Sequence, residues 1–237
     1  MAKDDVLIMG EGTCIEGKYN KVRIMGSGQL EGNIKSNKFT IAGSVEGRGN
    51  INFEELKVAG AIEIEGSLKG KKLRIAGAGE IQGSIKVDTC KIYGMLDIEE
   101  DLEAEEVILR GGLESNGYIN SETVFIQLLG PCQVEGIGAS NIKIGKNVTL
   151  QNEKGLKRWF NSKMLVDFGD KEGYFIGKEI EGDRIYVDTA QVQVIRGEHV
   201  EIGPDCQIDK VEYSQFISID KGSKVGEIVQ ITAGRKG

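Results

Sequence analysis

Val22-Arg23-Ile24-Met25-Gly26 is answered by Phe39-Thr40-Ile41-Ala42-Gly43, then by Leu56-Lys57-Val58-Ala59-Gly60 and Leu73-Arg74-Ile75-Ala76-Gly77. The phrases start at 22, 39, 56 and 73, a fixed step of 17 residues. Self-similarity at a fixed period points to stacked units, each unable to bury its apolar side without a neighbour. The step extends both ways. Val6 opens a phrase sixteen residues before Val22, while Cys90, Val107 and Val124 open later ones at 17 and Ile142 follows after 18.

Two further apolar elements recur within each unit. One lies twelve residues after the start, at Ile34, Ile51, Leu68, Ile85, Leu102 and Ile119. The other is a looser phrase such as Val45-Glu46-Gly47, Ile64-Glu65-Gly66 or Val134-Glu135-Gly136. Apolar alternation at period two marks short strands, and the glycines and charged pairs between them mark tight corners. Coiled into a solenoid, each segment pairs with its equivalents about 4.8 Å above and below. The expected fold is therefore all-β: a parallel, three-sided β-helix with about 17 residues per rung.

Composition agrees. The chain of 237 residues holds 34 glycines and only two prolines, which suits many tight turns between strands whose N–H groups are all in use. Seven Phe, six Tyr and one Trp suit a core too narrow for many rings. A net charge of −7 argues against nucleic acid as partner, since phosphate binding wants a basic footprint. The first residues lack the pattern of a signal peptide and no long apolar run occurs, so a cytoplasmic location is expected. Cys14, Cys90, Cys132 and Cys206 have no CxxC spacing and are expected to be buried thiols.

Alternation also sorts the outward positions. The first segment turns out Leu7, Arg23, Thr40, Lys57, Arg74, Lys91, Ile108, Phe125 and Lys143, a face expected to be basic through its middle. The middle segment turns out Glu16, Glu31, Glu46, Glu65, Gln82, Glu99, Glu114 and Glu135, expected to form one acidic column. Lys38, Glu55 and Lys72 at a corner are expected to pair across rungs.

The beat breaks after Lys146. The expected organisation is a main solenoid over 1–146, a mixed α/β insertion over 147–184 and C-terminal rungs over 185–237. Within the insertion, Leu156, Trp159, Phe160 and Met164 have helical spacing, and Lys157 and Arg158 lie among them. That pattern fits an amphipathic helix that either touches membrane or a partner, or folds back on the rod. Val166-Asp167-Phe168 and Tyr174-Phe175-Ile176 are expected to form a small strand pair. The beat returns at Ile185, with Val194, Val211 and Ile228 again 17 apart.

The tandem Val-x-Ile-x-Gly phrases with interleaved Ile-Glu-Gly resemble the bactofilins over residues 6–146 and 185–230. Leu129-Gly130-Pro131-Cys132 and the stretch from Val200 to Tyr213 look like the longer form found in Gram-positive bacteria. The resemblance implies a right-handed triangular β-helix and end-to-end assembly into filaments without nucleotide. It also implies roles in cell shape, envelope organisation or motility, with envelope or motility proteins and the inner face of the membrane as partners. The first rung starts almost at Val6, where smaller members carry a membrane-contacting tail, which makes the insertion the substitute for that contact.

Catalytic patterns are not assembled. Gly26-Ser27-Gly28-Gln29-Leu30-Glu31-Gly32 and Gly77-Ala78-Gly79-Glu80-Ile81-Gln82-Gly83 differ from a dinucleotide fingerprint and precede strands rather than helices. No P-loop occurs. His199, the single histidine, falls short of the three zinc ligands of a β-helix carbonic anhydrase and reads as a surface residue rather than the base of an acyltransferase. Neither a cofactor nor a catalytic residue is expected. Function is expected instead at the open terminal rungs, where unpaired N–H and C=O groups meet apolar columns. The expected polymer interface is Val6 and Ile8 at one end, and Phe216, Ile217, Ile219, Ile228 and Ile231 at the other. An adaptor that recruits membrane or partners through charged faces and the insertion is the alternative.

Overall fold

The computed structural model describes residues 5–149 and 173–232. The described residues form ten parallel strands in one sheet, whose spatial order is the sequence order. They are β1 (Asp5–Arg48), β2 (Ile51–Glu65), β3 (Leu68–Ile81), β4 (Ile85–Ile98), β5 (Leu102–Ser115), β6 (Tyr118–Gly145), β7 (Phe175–Val187), β8 (Ala190–Ile202), β9 (Gln207–Ile219) and β10 (Lys224–Gln230). Parallel strands that pair only with their sequence neighbours wind as a β-solenoid, as the repeat requires. The amphipathic stretch Leu156, Lys157, Arg158, Trp159, Phe160 and Met164 lies outside the described residues.

One rung shows the design. In β2 the buried residues come in three pairs, Ile51 and Phe53, Leu56 and Val58, Ile62 and Ile64. Alternation breaks at Glu54-Glu55 and again at Ala59-Gly60-Ala61, which are corners. Each inward pair stacks on its equivalent, as in Ile51↔Leu68, Leu56↔Leu73 and Val58↔Ile75. The core is thus a set of apolar columns running along the rod.

Two corner devices repeat with the rungs. At the first, Gly60 has φ +134°, and a Cβ there would sit 2.0 Å from the Gly43 carbonyl oxygen of the rung before. Only glycine tolerates both that backbone conformation and that approach. At the second, the Asn50 N–H donates to Asn33 Oδ1 at 2.9 Å and the Ser67 N–H to Asn50 Oδ1 at 2.9 Å. The Ser84 N–H continues the ladder to Ser67 Oγ at 3.2 Å. Side chains here accept the corner N–H groups that strand pairing leaves over.

The 17-residue step holds from Ile34↔Ile51 to Ile108↔Phe125 and then varies. A bulge between Gly111 and Leu113 takes up Leu129-Gly130-Pro131, so that Leu113 faces Cys132. The next irregularity is the excursion, across which Ile142 faces Ile185. The solenoid resumes at Phe175, not at Ile185. Phe175 and Ile176 pair with Cys132 and Gln133 on one side and with Ala190 and Gln191 on the other. They belong to a full rung rather than to the small strand pair expected within 147–184. Later rungs are shorter, since Ile185 faces Val200. The shortening moves the register, so Val194 faces Lys210 and the core column runs Ile195, Val211, Ile228 instead.

A buried carboxylate holds the base of the excursion. Asp188 is 1% exposed and accepts the Lys146 N–H at 2.8 Å, Thr189 Oγ1 at 3.0 Å and the Tyr186 hydroxyl at 3.2 Å. Three donors offset the loss of hydration that an isolated buried carboxylate would suffer. Burial, and then the neighbouring Asp188 charge, push the Tyr186 hydroxyl up to about 12, so it stays a donor throughout the neutral range.

All four cysteines are free and buried. Burial pushes the Cys90 and Cys132 thiols up to about 12 and raises those of Cys14 and Cys206. The thiolate is the reactive form, so native protein should titrate almost no thiol with Ellman's reagent at pH 8 and four after denaturation. Rapid reaction of even one thiol in the folded rod would contradict this placement.

Candidate polymerisation ends and the flanking faces

The two ends of the rod differ in how they present apolar groups. At the N-terminal end Val6 and Ile8 are half-buried and pack on the core. Around them Leu7, Met9, Ile15 and Met25 are exposed, at 61%, 71%, 61% and 45%. At the C-terminal end Ile217, Ile219 and Val225 are half-buried against the core, while Phe216, Ile228 and Ile231 are exposed. All seven residues expected at the interface therefore lie at an end. The four N-terminal side chains and Val225 were not foreseen. Their signal was an apolar residue in a ladder elsewhere polar, Leu7 standing where later rungs carry Thr40 and Lys57.

Among the described residues both end turns are also open in hydrogen bonding. Strand β10 is paired on one side only, by β9, and the first turn of β1 has no strand before it among the described residues. Side-chain pairs brace the rungs beneath. Near the C-terminal end Arg196 Nε and Lys210 Nζ meet Glu212 at 2.6 and 2.8 Å, and Arg196 also pairs with Glu179. The Lys210 contact first, and the Arg196 contact second, hold the Glu212 carboxyl below the usual carboxylate range.

The flanking faces differ from expectation in two respects. The acidic ladder runs Glu46, Glu63, Glu80, Asp97, Glu114, whereas Glu65 faces Arg48 and bonds it at 3.1 Å. Counted from the glycine corner, Glu65 lies two residues later than Glu46. A shift of two keeps a side chain outward and moves it to the adjacent ladder. Two lysines of the basic face are paired, Lys57 with Glu55 of its own rung at 2.7 Å and Lys91 with Glu106 of the next at 2.9 Å, and Lys38 reaches Glu55 from the rung before at 3.8 Å. Farther along the same ladder, Ile108 and Phe125 point outward and are nevertheless buried.

Features of catalysis do not converge. His199 lies within β8 between Arg184 and Phe216, its ring centroid 6.5 Å from that of Phe216. Among the described residues no group of three or more His, Cys, Asp or Glu could hold a metal ion. Gly26 and Gly77, which open the two dinucleotide-like phrases, are corner glycines of the solenoid. No helix among the described residues is long and apolar enough to cross a membrane.

Comparisons with known proteins point the same way as the repeat. Two uncharacterized proteins of Bacillus subtilis (strain 168) are similar to short parts of the chain. YhbF is 40% identical over 60 residues, 25% of this chain and 26% of that protein. YhbE is 46% identical over 46 residues, 19% of each. The chain thus spans about a quarter or less of these relatives' length. No solved structure matches. A family model does match over residues 2–85, that of the bactofilins, described as polymer-forming cytoskeletal.

Proposed function

We propose that the protein is a non-enzymatic cytoplasmic scaffold whose rods stack end to end into filaments without nucleotide. One observation carries this reading: among the described residues, the first and last turns of the rod each offer half-buried core residues, exposed apolar side chains and strand edges without a partner strand. Joining two ends satisfies the edges and continues the apolar columns, so assembly follows from the same pairing that builds the rod. The bactofilin match supports it, since that family is polymer-forming. Support of cell shape, envelope organisation or motility is part of the same proposal. The adaptor reading rests on the charged faces and on Leu156 to Met164, which lies outside the described residues, and no observation favours it.

Purified protein should form filaments in negative-stain electron microscopy, with light scattering that rises with concentration and does not respond to ATP or GTP. A monomer that persists across concentration and salt would sink the proposal.

A further inference from the structure

A trough of about 840 Å³ follows one edge of the rod through six successive rungs. Its floor is the corner row Ser36, Phe53, Gly70, Val87, Ala104 and Ser121, in which every member is buried or half-buried. The row is recessed because its chain neighbours turn outward on both sides. Positions 35, 52, 69, 86, 103 and 120 stack into one rail, and positions 37, 54, 71, 88, 105 and 122 form the other. From first rung to last the trough spans about 24 Å, five steps of about 4.8 Å.

Charge is polarised along these rails. The first three rungs carry Lys35, Lys69 and Lys71 against Glu54, and the last three carry Lys86 against Asp88, Glu103, Glu105 and Glu122. Two pairs are made within the rod, Lys71 with Glu54 at 3.1 Å and Lys86 with Glu103. Lys35 and Lys69 in the basic half, and Asp88, Glu105 and Glu122 in the acidic half, have no ion-pair partner among the described residues. Such a trough complements itself when turned end for end, whereas parallel rods in register would set lysine against lysine. In a two-fold contact one patch serves both copies. With the axis between the rungs of Gly70 and Val87, Lys35 of one copy meets Glu122 of the other, and Lys69 meets Asp88. Between them Glu54 faces Glu105, a like-charge contact that Lys71 offsets because it already bonds Glu54.

We propose that this trough is a lateral docking surface for a second copy of the chain in antiparallel orientation, each copy laying a rail in the other's trough. Exposed ion pairs are individually weak, so single rods meet only transiently. Rods joined end to end repeat the contact along the filament, and avidity makes the pair stable. That stable form rests on the end-to-end assembly proposed above, while the orientation rests on charge alone.

At low salt, parent filaments should lie in side-by-side pairs in negative-stain electron microscopy. They should separate at about 1 M salt, where the Debye length falls to about 3 Å. Lys35→Glu with Lys69→Glu should leave single filaments at low salt. Asp88→Lys with Glu122→Lys should do the same, although it brings the chain nearer to neutrality than its net −7. All four changes together rebuild a trough with one basic and one acidic half, and the pairs should return. Each rail already holds the incoming residue type, Glu103 on the first and Lys71 on the second, so the fold accommodates them. A second measurement needs no filaments. Ile228→Lys removes an apolar side chain from the C-terminal end, and such rods, concentrated at low salt and treated with a carbodiimide, should yield a Lys35–Glu122 cross-link by mass spectrometry. Within one rod these residues stand five rungs apart, too far for a zero-length link. Filaments that stay single at low salt, pairs indifferent to the four charges, or absence of the cross-link would overturn this docking surface and leave end-to-end assembly standing. The cross-link without filaments would overturn end-to-end assembly instead.

Discussion

Ile228→Lys should convert a filament-forming protein into one that sediments as a monomer at the same concentration. Ile228 continues the core column Ile195, Val211 and is 49% exposed at the last described rung. Burying the half still exposed at a junction is worth about 0.7–1.5 kcal/mol, and a lysine forfeits that gain while adding a charge whose desolvation costs at least about as much again. At tenfold per 1.4 kcal/mol, the concentration needed for polymer rises by about 10- to 100-fold or more. Sedimentation and electron microscopy measure the loss, and circular dichroism should show the β-sheet intact. Val6→Lys should also block assembly, but Val6 is half-buried on the core, so that change disturbs the first rung as well. Filaments of normal length from Ile228→Lys protein would place the junction elsewhere.

The second large effect concerns the rod itself. Gly60→Ala puts a methyl group where φ is +134° and the Gly43 carbonyl oxygen is 2.0 Å away. Strain at such a backbone position costs about 1–3 kcal/mol, and forcing atoms into a packed contact about as much again. A total of about 2–6 kcal/mol is a large part of the 5–15 kcal/mol by which ordinary domains are stable. Because each rung contacts only its neighbours, the damage should split unfolding instead of shifting it uniformly. Urea denaturation in the non-polymerising Ile228→Lys background should show an early transition absent from the parent. Ser44→Ala, at an exposed outward position whose ladder continues as Ala61 and Ala78, serves as the neutral control. An unchanged midpoint for Gly60→Ala would mean that the corner relaxes around a side chain.

Much of the rod was legible because a solenoid writes its period into the sequence. The Val-x-Ile-x-Gly phrases locate one side and one corner in every early rung, and their step of 17 equals the observed pairing from Ile34↔Ile51 to Ile108↔Phe125. What escaped reading shares a cause. Alternation reports only whether a side chain points in or out, so a two-residue shift is invisible to it. That is how Glu65 was assigned to the column of Glu46. Val194 was misplaced differently, by assuming that the step stayed at 17 where the rungs had shortened. The rung opening at Phe175 was hidden because its partners Cys132 and Gln133 are 43 positions back and no period connects them. Burial of Ile108 and Phe125 could not be read from alternation at all, because they cluster with Val148 and Tyr186 apart from the core columns.

The excursion between β6 and β7 has a consequence for how such a rod can change over time. Ile142 faces Ile185 in register despite the chain between them, and Asp188 closes the breach by bonding Lys146. The ladder is thus indifferent to the length of what is spliced there. A scaffold built this way can take insertions of other lengths at this point while its repeat distance stays the same.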